Sequence, residues 1–460
     1  MVTTHKFLKS TILSILIVIS GIVSSAYAQA DSTKYSSVSD FMKKGTVSGS
    51  SRSYYMYTDN QKGLTDYHGL ATGAGIAYQT PVLKGFSAGF SGYFIANLHS
   101  SDFEVLDEAT QNPNRYELGL FDVTNPNGKK ELTRLEELWV KYQKKNTQIM
   151  YGRYVPKNMF INGQDGRMRP TMVQGLSFAT KIRKNDFEAQ WITKMSPRST
   201  VNWYKVADTF GIYPVGRNKD GSTSGYEGNT TTPGILIVEN TNRQIRNLKL
   251  TTGFISVPNV FQTYYVNPEI KLKKWEFGLM TVAQHQLANG GSAEMVNSYS
   301  QESDKPFILS GQIAHKIGKQ RFAINYTLIS ANGRFLMPRE WGREPFYTFM
   351  PRERNEGAGN VNAISTNYNL AISSQFKLGA SYGFFKLPNA SDPVLNKYAL
   401  PSYSQFNVQL DYVPQGVFKG LAFRALYVRK DGADSSIENP KFIFNKINLS
   451  IVNLILNYNF

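Results

Sequence analysis

From Ser450 to Phe460 the chain alternates: Val452, Leu454, Leu456, Tyr458 and Phe460 share one parity, while Asn453, Asn457 and Asn459 share the other. Period two means a strand with one apolar and one polar face, the form taken in transmembrane β-barrels, where apolar side chains meet lipid and polar ones meet the lumen. A terminal aromatic such as Phe460 is what the outer-membrane barrel-assembly machinery reads, so that machinery is an expected partner. Segments of the same kind recur at 46–58, 69–79, 85–97, 132–144, 146–154, 173–183, 186–196, 235–240, 244–256, 263–273, 275–287, 307–317, 320–330, 361–376, 379–387, 402–413, 420–430 and 445–460. They predict an all-β fold, a transmembrane antiparallel barrel of about 18 strands, an even number that leaves both ends on one side.

The connections sort by length, which sets the orientation. Short ones at 81–84, 144–146, 183–186, 273–274 and 376–378 predict periplasmic turns. Longer ones near 98–131, 155–172, 197–234, 288–306, 331–360, 388–401 and 431–444, rich in Gly, Asn and Pro, predict external loops. Long and short are expected to alternate throughout.

The first residues set the compartment. A basic start with His5, Lys6 and Lys9, an apolar run from Ile12 to Val23 and the small-x-small site Ala26-Tyr27-Ala28 predict a secretory signal over 1–28, with cleavage after Ala30 as the alternative. Residues 29–45 then make a short periplasmic segment and 46–460 the barrel. No later apolar run is long enough for a membrane helix, so entry into a membrane requires a closed barrel. The absence of cysteine removes disulfides, thiolate metal sites and cysteine nucleophiles together. The formal charge of +17 points first to nucleic acid or an anion-filled pore. Many of the cations, however, sit in the turns, among them Lys84, Lys144, Lys145, Arg183, Lys184, Lys273 and Lys274, beside phospholipid head groups; no nucleic-acid partner is implied.

Strand parity then assigns faces. Lys141, Lys181, Lys249, Lys271 and Arg424 point inward, as do the acidic Glu137, Glu269 and Asp411, while Arg153 falls on outward parity unless a bulge precedes the next loop. A barrel of about this size encloses an aqueous channel rather than a packed core, so the expected contacts are outer-membrane lipids outside and small hydrophilic solutes inside. In the loop near 155–172, glycines and two prolines prevent regular structure, and Met159, Phe160, Ile161 and Met168 ask for burial. Folded into the mouth, this loop brings Asp165, Arg167 and Arg169 to a pore constriction, where confinement makes fixed charges effective selectors. An external loop with ordinary surface charges is the competing reading.

Several motifs, taken in order, resemble the OprD-like outer-membrane porins: Arg52 with Tyr54, Tyr55 and Asp59; Arg134 to Tyr142; Tyr151-Gly152-Arg153; Asp165-Gly166-Arg167-Met168 with Pro170; and Gln174-Gly175. Pro338 to Phe346 and Arg352 to Gly357 are similar to a loop of one subgroup of that family. The resemblance implies a monomeric barrel with an inward third external loop and a lumenal ladder of basic residues that guides substrate carboxylates, with acidic residues opposite. By position the ladder candidates are Lys141, Lys181, Lys249 and Arg424, a mixture that departs from an arginine-rich ladder. Family members pass small carboxylate-bearing solutes, some of them basic amino acids or peptides. The residues themselves leave monomer and homotrimer open.

Of the five histidines, His5 leaves with the signal, His68 and His99 fall near loop ends, and His285 and His315 share parity with lipid-facing neighbours. No Ser/His/acid set or paired-carboxylate motif accompanies them, so no catalytic residue, metal or cofactor is assigned. A receptor or structural barrel closed by its loops, and an outer-membrane hydrolase, remain the alternative classes. The sign-alternating Arg339, Glu340, Arg343, Glu344, Arg352, Glu353, Arg354 and Glu356 predict a salt-bridge network that orders loop 331–360.

Overall fold

The computed structural model describes residues 35–126, 128, 132–164 and 166–460. The expected signal segment 1–28 and Asp165 lie outside the described residues. Nineteen strands form one continuous sheet. The wall consists of β1 (Thr46–Asp59), β2 (Tyr67–Gln79), β3 (Phe86–Ser100), β4 (Leu132–Lys144), β5 (Thr147–Tyr154), β6 (Met172–Ile182), β7 (Asn185–Ser196), β8 (Ile235–Asn242), β9 (Leu248–Val257), β10 (Phe261–Leu272), β11 (Trp275–Gln286), β12 (Phe307–Ile317), β13 (Gln320–Ile329), β14 (Val361–Ala371), β15 (Phe376–Lys386), β16 (Tyr403–Tyr412), β17 (Leu421–Gly432) and β18 (Leu449–Asn459). Tyr204–Lys205 is a two-residue addition paired with the end of β7. Every neighbouring pair is antiparallel, and β1 closes on β18 from Ser50↔Asn459 to Asp59↔Ser450. Closure leaves no exposed edge, which is the condition for putting a sheet into hydrocarbon.

The terminal aromatic seals this seam. Phe460 and Gly49 exchange both backbone hydrogen bonds, at 2.9 and 3.0 Å. A Cβ at Gly49 would overlap the Phe460 ring. Gly49→Val should therefore push the ring off the seam, and the fraction of protein showing the folded, heat-modifiable band on an unboiled detergent gel should fall.

Exposure follows the parity of the pattern. Leu138, Val140, Ile313, Ile324 and Ile364 are exposed and outward, as an apolar band facing lipid requires. Near the periplasmic ends, ring pairs such as Phe376–Tyr412 at 4.2 Å, Phe86–Tyr142 at 4.8 Å and Phe322–Tyr368 at 4.7 Å form an aromatic girdle. Leu410, in register with Leu378 and Ala425, lies on the lipid face. Leu410→Arg, two residues from the girdle, should cost about 1 kcal/mol or more, less than the ~2–4 kcal/mol of a cation at the midplane, whereas Gln409→Arg on the wet face should fold as the parent does. Denaturant titration of the folded band separates the two.

Three details differ from the sequence pattern. The turn expected at Phe376–Leu378 lies earlier, between Ala371 and Phe376, because Phe376 pairs with Tyr412 at the girdle. The external connection between β9 and β10 is only residues 258–260, so long and short connections do not alternate throughout. There Asn259 takes the left-handed conformation (φ 71°) and Val260 N donates to Val257 O, which makes a tight turn between two buried valines. Ahead of β1, Val38–Lys43 is a short helix that the pattern did not indicate; its N-cap Ser37 accepts from Asp40 N, and Tyr78 Oη donates to Met42 O at 2.7 Å.

The buried apolar side chains come in comparable shares from the loops and from inward-facing wall residues. Phe160, Ile161, Phe335, Trp341, Phe346 and Met350 pack with inward residues of the wall such as Ile255, Tyr265, Val282 and Val361. Fully burying a side chain of this size contributes about 1.5–3 kcal/mol, so the external loops gain by folding into the barrel.

Candidate functional site

The loop 155–171 leaves β5 with its apolar residues turned to the interior. The Phe160 ring lies 5.3 Å from that of Tyr265 on β10 and 6.0 Å from that of Phe335 in loop 330–360. Asn162 N donates to Trp341 O at 3.2 Å. At the exit, Arg169 forms an ion pair with Glu136 of β4, which Arg134 also meets at 2.7 Å, and its guanidinium stacks on Tyr93 at 3.9 Å. Arg169 therefore anchors the loop to the wall, with its charge neutralised. Glu136 was not among the sequence candidates, because simple alternation places it outward. A bulge where Ser91 of β3 is passed over shifts the register of β4 and turns Glu136 inward beside Glu137.

Loop 330–360 reaches deeper. Tyr347 Oη donates to Asn267 at 2.8 Å, Thr348 Oγ1 to Thr327 at 2.7 Å, and Gln405 Nε2 donates to Pro351 O at 2.7 Å, so the loop touches β10, β13 and β16. Its acid–base pattern is only partly a network within the loop. Arg339 pairs with Glu356 at 2.8 Å. Glu353 is shared between Arg115 at 3.1 Å, Lys430 at 3.1 Å and Arg339 at 3.8 Å, which ties three parts of the chain to one buried carboxylate. Burial would raise this carboxyl, but Arg115, then Lys430 and Arg339, outweigh it and hold it well below the usual carboxylate range. Glu340 and Glu344 accept from backbone amides of Tyr213, Asn355 and Glu356, and burial pushes both carboxyls up to about 7.

These loops and four others enclose a cavity of about 630 Å³. Arg115, Arg167, Arg198, Arg217, Arg339, Arg352, Arg354, Lys397 and Lys446 line it, against Glu227 and Glu353 alone among the acidic side chains of the described residues. Four of the guanidiniums rest on neutral groups. Arg167 donates to Gly166 O at 2.7 Å, Arg198 to Tyr213 Oη at 3.3 Å, Arg354 to Gln164 Oε1 at 2.6 Å, and Arg352 to Tyr54 Oη and Asn453 Oδ1 at 2.6 and 2.7 Å. None of the four has an ion-pair partner among the described residues. Burial, then Arg198 and Arg352, lowers Arg167 to about 9; burial, then Arg198 and Arg339, does the same for Arg354. Like charges held this close leave a field that an entering anion relieves. Lys397 Nζ lies 4.5 Å over Tyr226 and 4.6 Å over Tyr299, and burial lowers it to about 8. Lys446 is lowered to about 7 by burial, then by Arg115 and Arg217.

The wall candidates are elsewhere. Lys141, Lys181, Lys249, Lys271 and Arg424, with Glu137, Glu269 and Asp411, face inward, mostly towards the periplasmic ends of their strands. Lys249 meets Glu269 at 2.6 Å, Arg424 meets Asp411 at 2.6 Å, and Lys181 comes within 3.9 Å of Asp186. Lys141 lies 5.3 Å over the Trp139 ring. Of the two described loop candidates, Arg167 lines the cavity and Arg169 does not; Asp165 lies outside the described residues. Sequence parity also passed over Glu188 and Glu239, which stand in register on the inner faces of β7 and β8.

No protein-family model matches the chain, and no curated protein sequence matches it. Solved structures do. OccK9 (OpdG) of Pseudomonas aeruginosa superposes with a TM-score of 0.70 at 14% identity, covering 91% of this chain and 99% of that one. OccAB2 of Acinetobacter baumannii gives 0.69 at 16% identity, with 91% and 98% covered. The fold is that of the OprD-like porins. The outer-membrane protein OpdK of Pseudomonas aeruginosa, at 0.69 and 12% identity with 91% and 99% covered, has the same architecture. At these identities the OprD-like likeness speaks for the barrel and its closure; the lining of the lumen belongs to this chain.

Proposed function

We propose that this protein is an outer-membrane porin that passes small hydrophilic solutes by diffusion, and that its external loops form an anion-preferring constriction admitting carboxylate-bearing solutes such as amino acids or peptides. The observation that carries the reading is the set of Arg167, Arg198, Arg352 and Arg354 around one cavity, each held by neutral acceptors. A guanidinium fixed in this way keeps donors for a carboxylate and pays little ordering entropy when one arrives. Glu137, Glu188 and Glu239, inward and without ion pairs among the described residues, would receive the ammonium group of the same solute. The paired Lys249–Glu269 and Arg424–Asp411 would contribute little net field, and Lys141, Lys181 and Lys271 would act at the periplasmic side.

Single-channel recording in planar bilayers with a salt gradient tests the reading. Discrete conductance with a reversal potential on the anion side is expected; a silent bilayer would favour the loop-closed receptor, and a cation-side reversal potential would remove the arginine argument. The preference should also depend on pH. Between about pH 6 and pH 9, Lys446 and Lys397 lose positive charge while Glu340 and Glu344 gain negative charge, so all four changes lower the positive field. Anion preference should decline across that window, and a flat or rising profile would show that these groups do not act on the pathway.

A further inference from the structure

Arg153 stands on the lipid side of the wall, where an unpaired cation is out of place. It is in register with the outward, exposed Leu138 on one side and with Gln174 on the other. The row continues: Gln174 is in register with Lys194, and Lys194 with Lys205. Lys194 would point into the lumen with Ile192 if β7 kept its register. A bulge at Gln174/Gly175, where Thr193 is passed over, turns it outward and sends Met195 inward instead.

The row is held in place. Arg153 Nε donates to Gln174 Oε1 at 3.1 Å, its guanidinium centre lies 4.5 Å from the Trp203 ring, and Trp203 Nε1 donates to Leu135 O at 3.0 Å. Among the described residues none of Arg153, Lys194 and Lys205 forms an ion pair. All three lie at the loop ends of their strands, which is the external rim. Towards the periplasm, the same outer surface is apolar and exposed at Val140, Tyr151 and Leu176.

A cationic row directly above an apolar surface fits an amphiphile with anionic head groups and several acyl chains. We propose that Arg153, Lys194 and Lys205 bind the phosphates of a phosphorylated glycolipid in the outer leaflet, with its acyl chains over Val140, Tyr151 and Leu176. The inference rests on the outer-membrane location and not on what passes through the lumen. The bulge in β7 then serves to supply the middle cation.

The probes are bis-phosphorylated lipid A and its dephosphorylated form, added to the folded barrel in neutral detergent and followed by native mass spectrometry. The phosphorylated form should bind at least about tenfold more tightly, and raising salt from about 0.05 M to about 0.5 M should weaken it. The variant Arg153→Gln/Lys194→Gln/Lys205→Gln should lose about tenfold or more in affinity, while Lys144→Gln/Lys145→Gln/Lys184→Gln, with the same charge removed at periplasmic turns, should lose none. Equal binding of the two lipids, an unaffected rim variant or an equal loss in the turn variant would overturn the assignment. Displacement by millimolar inorganic phosphate would overturn it too, by showing a free-phosphate site. Should the rim variant fail to give the heat-modifiable band, the lipid pair and the salt series on the parent protein decide the question alone.

Discussion

Replacing Glu353 with glutamine should open the external half of the barrel. Its carboxylate is buried and shared by Arg115, Arg339 and Lys430, so the amide leaves three cations with one neutral acceptor between them. Removing one partner from a buried ion pair costs about 3–5 kcal/mol, because the remaining charges stay desolvated. The strand ladder that holds Lys430 does not depend on this contact, and the wall should stay closed; the loss should fall on loop 330–360 and on the loop that carries Arg115. Conductance should rise and become noisy, the cavity should lose solute discrimination, and proteases added from outside should cut within the loop. The folded band on an unboiled gel should persist. Glu353→Asp, which keeps the charge on a shorter side chain, should recover part of the parent behaviour. Parent-like conductance and protease resistance in Glu353→Gln would mean that apolar packing around Trp341 and Phe346 orders the loop without the ionic hub.

Reversing Arg198 and Arg354 to glutamate should turn the barrel from anion to cation preference. A fixed charge about 7 Å from a mobile ion contributes roughly 0.6 kcal/mol even at the permittivity of bulk water, and several times that in a confined site. Reversal changes each contribution by twice its size, so two substitutions should shift the anion-to-cation permeability ratio by on the order of tenfold or more. Arg169→Gln should behave differently, because Arg169 is already neutralised by Glu136: it should loosen loop 155–171 with only a modest change of sign preference. Arg424→Glu, beside Asp411 on the wall, should act in the direction of the double reversal but less strongly. If Arg424→Glu exceeded the double reversal, selection would occur on the periplasmic wall and the loop cavity would be a vestibule.

The sequence by itself determined the strands, their faces and the closure. Side-chain direction in a strand depends only on the local backbone, so the alternation from Ser450 to Phe460 or from Phe406 to Tyr412 is enough to say which residues meet lipid. Where a bulge intervenes, that local rule fails: Glu136 turns inward and Lys194 outward because a neighbouring strand sets their register. The lining of the cavity was beyond the pattern altogether. Asp165 and Arg169 are close in sequence to Arg167, yet only Arg167 of the described pair meets the cavity, alongside Arg198, Arg352 and Arg354 from other loops. Some of these groups meet across more than a hundred residues, as Arg354 does with Gln164 and Arg115 with Glu353. Irregular loops carry no periodic signal; what brings their charges together is the burial of Phe160, Trp341 and Phe346 against the inner wall, and that is a property of the closed barrel as a whole.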